Sequence, residues 1–225
     1  MPDDRQKKIL EILRKTFTMP KWATSAEDSF RRLIVTIISQ NTADRNTERA
    51  FENLSKKFKI TPEALANAKQ KEIEQCLRVG GLYRNKGKTI KQVSKTILEK
   101  YHGELDPILS MPTEQARKTL MQLKGVGPKT ADVVLLFSGN KNVVPVDTHV
   151  NRVSKRLGLA PQKGNYEAVR KALQTIYNPT DYMQVHLLLI YHGRKYCKAR
   201  LPQCPQCPIN TLCPSRNLFT QQKTG

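Results

Sequence analysis

The apolar residues of this chain recur at helical spacing from one end to the other. In "RQKKILEILRKTF", residues 5–17, Ile9, Ile12, Leu13 and Phe17 share one face at a period near 3.6. "TPEALANAKQKEIEQCL", residues 61–77, opens with Thr61 as a side-chain cap and Pro62 at the first helical position, and the period predicts a helix over the stretch. Ser25, with Asp28 three residues on, resembles a capping box ahead of "FRRLIVTIISQ", residues 30–40. That run is rich in β-branched residues and would suit a buried strand by propensity alone. No strand-turn-strand pattern accompanies it, so the prediction is a buried helix. Helical periods also cover residues 86–101, 113–123, 128–138, 147–157, 166–177 and 180–192, with Gly and Pro as punctuation. No low-complexity linker and no fixed repeat interrupts them. The fold class predicted is all-α.

Composition narrows what such a fold is for. With 225 residues and 38% hydrophobic content the chain can close a core as one large or two small domains. The first residues are charged, and no stretch approaches the roughly 18 uninterrupted apolar residues of a membrane span. A cytoplasmic protein without a membrane partner is expected, nucleoid-associated in a prokaryote. A net charge of +20 points to a polyanionic partner whose counterions are released on binding, and nucleic acid is the simplest one.

Two stretches carry candidate chemistry. Cys197, Cys204, Cys207 and Cys213 are spaced C-x6-C-x2-C-x5-C. From Tyr182 to the end there are six Lys or Arg and no Asp or Glu, which puts whatever the cysteines hold near phosphate. Disulfides fit poorly in a chain unmarked for export, which leaves a metal centre, zinc or a four-cysteine iron-sulfur cluster. Cys76 reads as a plain buried thiol. Upstream, in "LMQLKGVGPKTADVVLLF", Gly125 and Gly127 bracket a turn and Pro128 opens a new helix. Such a turn is common between helices, and it also lets N–H groups face a phosphate. Lys129 stands in the first turn of that helix, where the dipole disfavours a cation, so its amine is a candidate for chemistry. Asp147 opens the next segment, "VVPVDTHVNRVSKRLGL", as a helix cap, and His149 reads as a packing residue.

Together these residues resemble endonuclease III, the helix-hairpin-helix DNA glycosylase and AP lyase. The likeness rests on "LKGVGPKTADVV", on "PVDTHVNRV" with Asp147 eighteen residues after Lys129, and on the cysteine tail. "IISQNTADRN" and "GGLYRNKGKTI" stand in the expected order before them. The resemblance implies two helical domains with an active cleft between them. One is a barrel of about six helices over residues 31–141 that contains the hairpin, the other residues 1–30 with 142–225 around a [4Fe-4S] cluster on the four cysteines. It implies a monomer that acts on duplex DNA carrying damaged bases or abasic sites, with oxidised pyrimidines as substrates. Lys129 is then the Schiff-base nucleophile and Asp147 its assistant. Leu82 is an apolar wedge into the gap left by an extruded base. Gln40 or Asn41 meets the orphan base, since Asn41 stands where glutamine is expected. Gly125 and Gly127 approach the backbone, and Lys198 and Arg200 meet phosphate from a loop that the cluster holds.

Rival functions on such a scaffold leave different marks. An adenine-mismatch glycosylase is expected to carry an acid on the first barrel helix and no lysine at the hairpin. Here no acid lies between Arg32 and Asp44, and Thr36 stands near that position. A thymine-mismatch glycosylase is expected to have tyrosine at position 129. The alternative of another class is a DNA-binding module with structural zinc and no catalysis, which leaves the spacing of Lys129 and Asp147 unexplained.

Overall fold

The computed structural model describes residues 3–23 and 28–220, and within them every regular element is helical. In chain order these are α1 (Asp4–Thr16), α2 (Ser29–Ser39), α3 (Asp44–Lys57), α4 (Pro62–Asn67), α5 (Gln70–Leu77), α6 (Tyr83–Tyr101) and α7 (Asp106–Leu109). They are followed by α8 (Thr113–Met121), α9 (Pro128–Phe137), α10 (Thr148–Arg156), α11 (Tyr166–Ile176), α12 (Tyr182–Lys195) and α13 (Arg216–Thr220). The chain forms two compact units, Ala26–Lys141 and a second that joins Met1–Ser25 to Asn142–Gly225.

The first unit is built around α2. Phe30, Leu33, Ile34, Ile37 and Ile38 are all buried, so this helix is apolar around most of its circumference and runs through a core, as its unalternating sequence predicts. Asp28 caps it by accepting from Arg31 N–H at 2.7 Å; Ser25, its expected capping partner, lies outside the described residues. The segment expected as one helix over residues 61–77 is two. Thr61 caps α4 through Ala64 N–H at 3.2 Å, but the chain turns extended at Ala68 before α5 begins. The break lets Leu65 and Ile73 both bury, with α4 and α5 each packed on α6. Helix α3 was not among the expected elements. Its buried stripe is Thr47, Ala50 and Leu54, too small and too polar to stand out as a period.

In the second unit α10 packs on α11 and α12, and α12 on α1. Ile9, Leu10 and Leu13 bury one face of α1, whereas Ile12 and Phe17, expected on that face, are only half-buried. Gly193 lets α12 approach α10 closely: a Cβ there would meet His149 Cβ at 3.0 Å and Val153 Cγ2 at 3.1 Å. His149 thus packs, and its Nδ1 lies 3.1 Å from Arg152 Nη2.

Candidate DNA-repair site

The turn between α8 and α9 is held from inside by an ion pair. Arg117 Nε donates to Asp132 Oδ1 at 2.6 Å, with both side chains almost fully buried, and Leu123 and Val126 pack beneath the turn. Its two glycines differ in kind. Gly125 has φ +83°, and a Cβ on it would lie 2.6 Å from Thr89 Cγ2, so both backbone and neighbour require glycine. Gly127 has an ordinary φ of −91°, and nothing lies within 4 Å of where its Cβ would be. It is the N-cap of α9 and supplies no side-chain cap, so the open space lies beside uncapped N–H groups at a positive helix end. Lys129 follows, half-buried in the first turn.

Of the two polar residues after α2, Gln40 belongs to the hairpin. Its Nε2 donates to Gly125 O at 3.2 Å and to Thr130 Oγ1 at 3.1 Å. Asn41 is exposed, with φ +51°. Leu82, at φ +47°, is 56% exposed at the head of α6, the profile of an apolar side chain held out into solvent. Thr36, near the position expected of a mismatch enzyme's acid, is buried and turns its hydroxyl back to Arg32 O at 2.8 Å.

The second unit holds the other candidates. Asp147 caps α10, Oδ1 accepting from Val150 N–H at 2.7 Å, and the preceding Val146 N–H donates to the Tyr166 hydroxyl at 3.3 Å. At the far end of α10 the four cysteines line one cavity together with Arg156 and His192. Burial pushes the Cys207 thiol up to about 11, and the neighbouring cysteines push the same way. Burial likewise raises Cys204 and Cys213. Crowded thiols that resist ionising one another are a donor set suited to a cationic centre, which removes that penalty. His192, held neutral by burial with its pKa down at about 4, sets Nε2 3.7 Å from Cys207 Sγ. Among the described residues, no three His, Cys, Asp or Glu side chains converge on a point that could hold a single metal ion. The four cysteines nonetheless share one cavity wall, where an expected metal centre would be held.

Sequence reading missed the braces of this loop. Arg152 Nε donates to Cys197 O at 2.9 Å, and its Nη2 to Gly193 O at 3.0 Å. Arg156 reaches Lys198 O at 2.7 Å and Ala199 O at 3.1 Å. The two arginines are four apart on α10, a spacing visible in "NRVSKR" that signals one shared face. Lys198 and Arg200 are exposed beyond them. Cys76, on α5, is buried with its pKa raised by that burial.

Known proteins resemble this chain in sequence and fold. The HhH-GPD superfamily of base excision DNA repair proteins matches residues 34–179. Endonuclease III of Sulfolobus acidocaldarius is 34% identical over 204 residues, covering 90% of this chain and 89% of that one. Endonuclease III of Bacillus subtilis is 37% identical over 184 residues, 82% of this chain and 80% of its own. A solved endonuclease III trapped as a covalent intermediate with DNA superposes with a TM-score of 0.84 at 33% identity, covering 98% of this chain and all of that one. This chain therefore belongs to the endonuclease III family of the HhH-GPD superfamily, the DNA glycosylases and AP lyases of base excision repair.

Proposed function

We propose that this protein, acting as a monomer, removes oxidised or ring-saturated pyrimidines from duplex DNA and cleaves the resulting abasic site through a Schiff base on Lys129. One observation carries the reading: a half-buried lysine in the first turn of α9, at a helix end that disfavours its protonated form, two residues after a glycine around which space is open. The capture of a related endonuclease III as a covalent DNA intermediate supports it.

The neutral amine attacks the sugar carbon that bears the base, and the base departs with the bonding electrons and takes up a proton. The amine loses a proton, and the nitrogen lone pair then expels the ring oxygen from the same carbon. That oxygen takes up a proton as the ring opens, leaving a protonated imine that acidifies the adjacent sugar carbon. A proton leaves from there as the 3′ phosphate departs with the bonding electrons. Asp147 assists at the same sugar, with one oxygen on the cap and the other left for the substrate. Leu82 wedges the duplex and Asn41 meets the orphan base, while Gln40 fixes the hairpin that presents Lys129.

The four cysteines would hold a [4Fe-4S] cluster, which serves to keep the loop from Lys198 to Gln203 folded so that Lys198 and Arg200 reach phosphate. Iron and acid-labile sulfide near four per chain are expected in protein purified without oxygen, and stoichiometric zinc without iron would exclude the cluster. The central test is reductive trapping. Borohydride added during turnover should join protein to DNA through residue 129. Lys129→Gln should bind damaged duplex yet lose both trapping and strand cleavage; strand cleavage by that variant at the wild-type rate would refute the nucleophile.

A further inference from the structure

We propose that Lys86 is a positioning residue that locks the Asn41 loop to the Leu82 loop, so that both side chains enter the duplex as one rigid probe. The inference rests on the base-extruding role given above to those two residues.

Lys86 is 4% exposed, an unusual place for an ammonium. Its Nζ donates to Ile38 O at 2.8 Å, to Gly80 O at 3.3 Å and to Thr42 Oγ1. Three N–H donors meet three oxygens, so the group is fully satisfied. Two of the oxygens are backbone carbonyls and the third is a side-chain hydroxyl, each from a different residue. Ile38 O is in the last turn of α2, where the dipole favours a cation; Thr42 follows Asn41; and Gly80 leads into Leu82. The Thr42 hydroxyl also donates to Gly80 O at 2.6 Å, closing the network across both loops. The Lys86 amide bonds Leu82 O at 3.0 Å, so one residue grips the wedge by its main chain and the opposite loop by its side chain.

All the acceptors are neutral, and burial holds the amine's pKa below its ordinary value. A packing role alone would be filled by an apolar side chain of the same shape without desolvating a charge. What the ammonium adds is direction, three bonds with fixed angles between two loops whose tips, Asn41 and Leu82, are both in the left-handed backbone region. Such a conformation persists only where surroundings hold it.

The test uses Lys86→Met and Thr42→Val, each removing bonds while nearly keeping shape, in single-turnover excision of one oxidised pyrimidine. Absence of excision by the wild type would sink the reading beneath the proposal and say nothing against the clamp itself. Given wild-type excision, both variants should bind undamaged duplex within about twofold of wild type. They should excise from paired duplex about 10- to 100-fold more slowly, the scale of an ångström-sized misplacement. Placing the lesion in a bubble of mismatches, where extrusion is cheap, should restore their rates to within about threefold of wild type. Wild-type rates on paired duplex, or the same loss in the bubble, would overturn the clamp. Should Lys86→Met fail to give a cooperative melt, Thr42→Val decides alone, since it severs the direct link and leaves the ammonium two of its oxygens.

Discussion

The glycines of the hairpin turn are predicted to fail in opposite ways. At Gly125 an alanine must hold φ +83°, which costs roughly 1–2 kcal/mol for an L-residue. Its Cβ would also stand 2.6 Å from Thr89 Cγ2 and 2.8 Å from Thr89 Oγ1 on a short, branched side chain with little freedom to give way. Overpacking of that kind costs about 1–3 kcal/mol. Against this, alanine narrows the unfolded ensemble by about 0.4–1 kcal/mol. The net is about 2–4 kcal/mol, and at about 2–4 °C per kcal/mol for a chain of this size the melting temperature should fall by roughly 5–15 °C. Gly127→Ala meets no neighbour and no forbidden φ, so it should leave stability equal or raised by about 0.4–1 kcal/mol. Its methyl does, however, enter the space beside the uncapped head of α9. If phosphate uses that space, duplex affinity should drop by about tenfold in fluorescence anisotropy while the protein melts normally. Thr89→Ala added to Gly125→Ala should return at most the packing share, about 1–3 kcal/mol. A Gly127→Ala protein with wild-type affinity would refute the phosphate approach. A Gly125→Ala protein with a wild-type melt would refute the steric account.

Asp147→Asn should keep the α10 cap and a wild-type melt yet excise about 10²–10⁴-fold more slowly, whereas Asp147→Ala should also lose about 1 kcal/mol in urea unfolding. Arg156→Met removes the bonds to Lys198 O and Ala199 O, so the slope of log affinity against log salt should flatten by about one to two units, each lost phosphate contact contributing about 0.9, with the iron content unchanged. Lys86 titrates lower in the folded protein than in the unfolded chain, so between those values the unfolded chain binds more protons. The stability of wild type relative to Lys86→Met should therefore rise with pH through that window, up to the ordinary lysine value of about 10.4, as read by urea unfolding; a difference flat in pH would show that the amine is not desolvated.

What the sequence revealed and what it hid divide along a physical line. Cysteines at fixed spacing, a Gly-x-Gly turn with lysine after it and an aspartate at a helix start announce themselves by residue type and local order. The same holds for α2, whose unbroken apolar run has one reading once no partner strand is present. Residues that matter through where their polar ends arrive gave no such mark. Lys86 looks like any surface lysine of a basic chain until its three oxygens, from residues 38, 42 and 80, are in place. Gln40 and Asn41 are equivalent as sequence, and only the bonds from Gln40 to Gly125 and Thr130 separate a hairpin support from an exposed tip. The split between α4 and α5 was invisible for a related reason: neither Ala68 nor Lys69 breaks helices by itself, and the turn exists to pack two short helices on α6.

Helix α10 shows why the supports matter as much as the chemistry. It is only nine residues long, about 14 Å at 1.5 Å per residue, and is stiff over that length. Asp147 begins it, and Arg152 and Arg156 in its later turns grip Cys197, Lys198 and Ala199 by their carbonyls. Gly193, bare of a side chain, lets α12 seat against His149 and Val153 and fix the helix between these ends. The proposed carboxylate and the proposed phosphate-binding loop thus share one rigid rod. A centre held by the four cysteines would need no electronic part in catalysis to affect it, because anything that slackens the loop slackens the helix whose cap is Asp147.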